Sequence, residues 1–75
     1  MKIVFSRHAK RRAKPYRISL ETIRGILEKS EISEGKNVII KKIEGYSYPL
    51  KIVVDSKFHT ITVITNYPLK RGRIS

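Results

Sequence analysis

Apolar residues along this chain follow a helical spacing in its first part and a strand-like spacing after about residue 31. Leu20, Ile23, Ile26 and Leu27 recur as one face of a helix, and Ser19 stands where a hydroxyl caps its free amides. Glu21 in the first turn and Lys29 near the end match the helix dipole, so the helix is expected to finish near Lys29. Gly25 inside it costs about 1 kcal/mol relative to Ala and reads as the mark of a close approach to a sheet. Upstream, residues 2–5 are β-branched and aromatic, as suits an edge strand. Ser6 then caps a second helix expected over residues 7–14, which Pro15 stops.

Downstream come Val38, Ile39, Ile40 and Ile43, then Leu50, Ile52, Val53 and Val54, then Ile61, Val63 and Ile64. Glu44-Gly45 and Asp55-Ser56-Lys57 separate these runs as turns, which predicts a three-stranded antiparallel meander. Alternation places Ile61 and Val63 on one face with Ile52 and Val54, and Thr60, Thr62 and Ile64 on the other. The expected fold class is α+β: an N-terminal strand and two helices packed on a small antiparallel sheet. One domain should occupy residues 1–69, followed by a basic tail at 70–75.

Size narrows the function. A chain of 75 residues buries only about 60% of its extended surface, which leaves little room for a large enclosed active site. The absence of cysteine removes disulfides, thiolate nucleophiles and Cys-based zinc sites. No stretch approaches the ~18 apolar residues that span a bilayer, and the basic helix offers mainly Ala9 and Ala13 as an apolar face. The expectation is a soluble, cytoplasmic protein with no membrane partner.

The charge of the chain points to a polyanionic partner. Lys and Arg number 17 against 6 acids, a formal charge of +11, and such a field favours phosphate backbones. Arg7, Lys10, Arg11, Arg12, Lys14 and Arg17 form a segment with no acid among them; Lys41, Lys42 and the tail residues Lys70, Arg71 and Arg73 add to it. Tyr46, Tyr48 and Tyr67, interleaved with Lys41, Lys42 and Lys51, suit either base stacking or packing at a sheet edge.

His8 and Arg12 share one helical face, four residues apart. An imidazole beside a guanidinium combines proton transfer with phosphate binding, as RNA cleavage requires, although passive phosphate binding needs no more than the Arg. His59 reads as an exposed hairpin residue. The sequence has no metal-ligand spacing, Walker loop or Ser-His-Asp pattern, and no metal or cofactor is expected.

The segments Ser6-Arg7-His8-Ala9-Lys10-Arg11-Arg12, Arg17-Ile18-Ser19-Leu20-Glu21-Thr22-Ile23 and Ile61-Thr62-Val63-Ile64-Thr65-Asn66-Tyr67 come in an order that resembles the family called domain of unknown function 4258. That family looks like a relative of the RelE and BrnT toxins. The resemblance implies a RelE-like fold and an RNA-binding, toxin-like protein, a candidate metal-independent endoribonuclease acting on free or ribosome-bound RNA and restrained by an acidic antitoxin. His8 and Arg12 match the family's His-x-x-x-Arg feature and Thr65 its final strand, whereas Tyr16 stands where a basic residue is expected, with Arg17 displaced by one.

On this resemblance His8 serves as base or acid, Arg12 stabilises the phosphorane, and Tyr67 or Arg71 supports the leaving side. Arg7, Lys10, Arg11, Lys14, Arg17, Lys41, Lys42, Lys70 and Arg73 are then nucleic-acid-docking cations. The alternative is a noncatalytic basic nucleic-acid-binding module. Charge alone does not choose between RNA and DNA, nor does it set an oligomeric state.

Overall fold

Both serine caps form as expected. In a computed structural model, which describes residues 2–69, Ser6 Oγ accepts from the Ala9 amide at 3.0 Å and opens α1 (Arg7–Ala13). Ser19 Oγ accepts from the Glu21 amide at 3.1 Å and opens α2 (Leu20–Glu28). Before them runs β1 (Lys2–Phe5), and after them come β2 (Gly35–Lys41), β3 (Leu50–Lys57) and β4 (Thr60–Pro68). The fold is a small α+β arrangement of two helices on a four-stranded mixed sheet, in the order β1-β4-β3-β2.

The sheet departs from the antiparallel expectation at one edge. β2, β3 and β4 form the predicted meander, but β1 pairs parallel with β4, from Lys2 opposite Thr60 to Phe5 opposite Val63. Strand identity is legible from β-branched residues; strand direction is set by the path of the two helices between β1 and the meander.

Ile23 and Leu27 of α2 are buried in one cluster with Ile52, Val54, Ile61 and Val63, the core face that alternation predicts. Ala9 and Ala13 join the same cluster, so α1 approaches β4 closely through small side chains. Gly25 does not mark such an approach: a Cβ built there meets nothing within 4 Å. Its place in α2 therefore carries a propensity cost with no packing return.

α1 ends at Ala13 with Lys14 as its C-cap, directly before Pro15, as expected. The chain keeps turning through 14–17, where the Arg17 amide donates to the Lys14 carbonyl and the Ile18 amide to the Ala13 carbonyl, both at 3.0 Å. These are the paired bonds of a Schellman closure, with Arg17 in the left-handed conformation at φ 56°. Tyr46 donates its hydroxyl to the Arg17 carbonyl at 2.9 Å, latching the β2–β3 connection to this turn. Tyr46 thus has a structural role.

The last turn also moves. Asp55, Ser56 and Lys57 are the end of β3, and the two-residue loop is Phe58-His59, at φ 49° and 61°. Both residues are left-handed, as type I′ hairpin turns demand, although each costs roughly 1–2 kcal/mol for an L-residue. His59 is exposed in the hairpin, as expected.

Candidate nucleic-acid interface

One local irregularity in β4 builds the site. Val54 pairs with Val63 and Val53 with Thr65, so Ile64 is an extra residue in the ladder. A bulge of this kind reverses which face each later residue occupies. Without it Thr65 and Tyr67 would continue the core side; with it Asn66 is fully buried and Tyr67 lies opposite Lys51.

Ser6 ties α1 to that bulge. Its amide donates to the Val63 carbonyl at 3.0 Å and its hydroxyl to the Ile64 carbonyl at 2.9 Å, while the same oxygen caps α1. Asn66 makes a second tie, Nδ2 donating to the Ala9 carbonyl at 3.2 Å. β1 ends opposite Val63, so α1 takes its place beside the remainder of β4.

From there Arg12 reaches Tyr67. The guanidinium lies 5.2 Å from the Tyr67 ring centre and 6.0 Å from that of Tyr16, and Lys51 Nζ lies 5.7 Å from the Tyr67 ring. Ring quadrupoles attract cations by about 0.5–2 kcal/mol at such distances. Buried Arg12 Nε and Asn66 Oδ1 have no hydrogen-bond partner, and no described cation has a carboxylate within ion-pair distance. Arg12 is therefore oriented by aromatic rings and left uncompensated in charge, a state suited to receiving an anion.

The opposite side of α1 carries the other cations. Arg7, Lys10, Arg11 and Lys14 follow the three-and-four spacing of one helical stripe, are all exposed, and line an open depression of about 290 Å³. His8 is exposed one turn before Arg12 and, among the described residues, its side chain makes no hydrogen bond or ring contact. Helical geometry sets it on the flank between the stripe and Arg12.

Other predicted residues lie apart. Arg17 is exposed in the Schellman turn. Lys41 and Lys42 are exposed at the far edge of the sheet, at the same end as Tyr67 but two strands away, about 10 Å. Tyr48 is exposed on the β2–β3 connection. Lys70, Arg71 and Arg73 fall outside the described residues. Asn66 and the cation–π contact of Tyr16 were missed by sequence reasoning. Only the spacing of Tyr16 four residues after Arg12 signals the latter.

A family model described as domain of unknown function (DUF4258) matches residues 5–68. The chain belongs to this family. The DUF4258 match runs from the last residue of β1 to the last of β4, so Ser6, Arg12, Tyr16, Asn66 and Tyr67 all lie within it. Comparison with curated proteins and with solved structures returned no match. No helix among the described residues is long and apolar enough to cross a membrane, and no group of three or more His, Asp or Glu among them is placed to hold a metal ion.

Proposed function

We propose that this DUF4258 chain is an RNA-binding, toxin-like protein whose Arg12 site cleaves RNA without a metal ion. The observation that carries the reading is Arg12, held over Tyr67 and Tyr16 with no carboxylate partner, on a helix whose other side carries a stripe made only of cations. The stripe of Arg7, Lys10, Arg11 and Lys14 docks the phosphate backbone, and Arg12 with Lys51 receives the phosphate that reacts.

In the reaction the RNA 2′-oxygen bonds to the adjacent phosphorus and the bond to the 5′-oxygen breaks, leaving a 2′,3′-cyclic phosphate and a 5′-hydroxyl. His8 takes the proton of the 2′-hydroxyl, Arg12 stabilises the charge on the phosphorane, and the Tyr67 hydroxyl supplies the leaving oxygen's proton. The RelE and BrnT relationship, an acidic antitoxin and a ribosomal target belong to the same proposal through the family resemblance.

A noncatalytic binding module is the second reading, favoured by one observation: nothing in the described fold orients His8. Labelled RNA incubated with the folded protein, with and without ribosomes and chelator, separates the two. Cleavage that survives chelator and is lost in His8→Ala supports the enzyme. Salt-sensitive binding without products leaves the module.

A further inference from the structure

The β3–β4 turn is an unusual place for Phe-His. Two-residue hairpins of this handedness favour Asn-Gly because both positions are left-handed, yet Phe58 and His59 hold φ 49° and 61°. Nothing within the described fold compensates. The Phe58 side chain is 87% exposed, and that of His59 makes no hydrogen bond or ring contact among the described residues. The turn is held through backbone instead, the Lys2 amide donating to the His59 carbonyl at 3.0 Å and Thr60 Oγ1 to the Phe58 carbonyl at 3.5 Å. Its effect is to present an aromatic ring to water from a fixed position.

The surroundings identify what suits that ring. Phe58 borders an open depression of about 390 Å³ whose other lining residues are Glu34, Ser56, Lys57 and His59, all polar. A lone ring among such neighbours lacks the broad apolar face that membrane insertion or a protein groove requires. It suits a flat molecule with an apolar face and polar edges. Exposed Lys57, and Lys2 beside the turn, supply positive charge for a backbone. Glu34 supplies an acceptor with no ion-pair partner among the described residues.

We propose that Phe58 is a stacking platform for one unpaired nucleobase, with Glu34 accepting from an exocyclic amine and Lys57 and Lys2 contacting flanking phosphates. This rests on the nucleic-acid reading above and adds a second contact beyond the far end of β4, whose first residue Thr60 is seven strand residues or about 23 Å from Tyr67. The acceptor makes the site selective: cytosine offers an amine and uracil does not.

The chain has no tryptophan, so Phe58→Trp introduces a single indole at the tip. Oligocytidine is expected to quench its emission, and to bind the unmodified protein more tightly than oligouridine. Phe58→Ala should weaken oligocytidine binding about tenfold without changing the salt slope, because no charge is removed, while Phe58→Tyr retains binding. Glu34→Ala, which removes the acceptor, should abolish the preference for cytidine. Unchanged affinity in Phe58→Ala, or indole emission indifferent to saturating RNA, overturns the platform while leaving the Arg12 site standing. An unmodified protein that binds neither oligonucleotide overturns both.

Discussion

Arg11 and Arg12 are adjacent in sequence and face different environments in the fold. Arg11 belongs to an exposed stripe with Arg7, Lys10 and Lys14, where side chains are free to follow a flexible polyanion. Arg12 is half-buried, set between Tyr16 and Tyr67, with one nitrogen enclosed and unpartnered. A run of like charges can therefore hold two roles. Hydration and freedom suit electrostatic docking, whereas fixed orientation and partial desolvation suit stabilising charge at one point.

The largest effects are expected from substituting the two arginines one at a time. On the function proposed, Arg12→Ala is expected to lower the RNA cleavage rate at least about 100-fold, as loss of one preorganised charge donor does, while Arg11→Ala changes it only a few-fold. Arg12→Lys should fail nearly as badly, because an ammonium lacks the planar face that stacks on the rings. Equal losses at positions 11 and 12, measured in single-turnover assays on folded variants, would erase the distinction.

Asn66 holds α1, and with it Arg12, against β4. Asn66→Ala removes the side-chain donor that ties β4 to the Ala9 carbonyl and leaves a cavity under α1 where a fully buried side chain stood, so a loss of about 2 kcal/mol is expected in denaturant unfolding. Arg11→Ala on the exposed stripe should stay within about 0.5 kcal/mol. A fully stable Asn66→Ala protein would mean that α1 is held on β4 by something other than this bond.

A third measure is salt dependence. Neutralising Arg7, Lys10, Arg11 and Lys14 together should reduce the slope of log affinity against log salt by about 3 for single-stranded RNA, near 0.7 for each contact. An unchanged slope would remove the stripe from the interface. The smallest effect is expected at Gly25, where Ala meets no neighbour and should stabilise the protein by about 0.5–1 kcal/mol. That variant touches neither side of α1 and offers a background in which destabilised Arg12 and Asn66 variants stay folded.

Much of the fold was legible. Ser6 and Ser19 mark helix starts because a side-chain oxygen beside free amides is a local interaction. Alternation at Ile52, Val54, Ile61 and Val63 marks one sheet face because successive side chains point to opposite sides. The turn that closes α1 and the last hairpin turn went unforeseen for a shared reason. Arg17, Phe58 and His59 adopt left-handed backbone that their side chains do not advertise, whereas glycine or asparagine would have.

The site was legible only in part. His8 and Arg12 could be paired by helical spacing, and Arg12 was drawn into a candidate site with Tyr67 across more than fifty residues of sequence only through resemblance. The cation–π contact of Arg12 with Tyr67 depends on the bulge at Ile64, which no glycine or proline announces. Asn66 went unnoticed because a polar residue late in a strand reads as solvent-facing until the register reverses.

By itself, the sequence determined what acts over a few residues: helix and strand periods, caps, the cationic stripe of α1 and the excess of positive charge. Tertiary structure alone decided the parallel placement of β1, the bulge, the burial of Asn66 and the turning of Arg12 onto Tyr67. These depend on which strands meet and where one of them ends. Local propensity carries no information about a partner strand, and a one-residue shift in pairing changes the face of every side chain that follows.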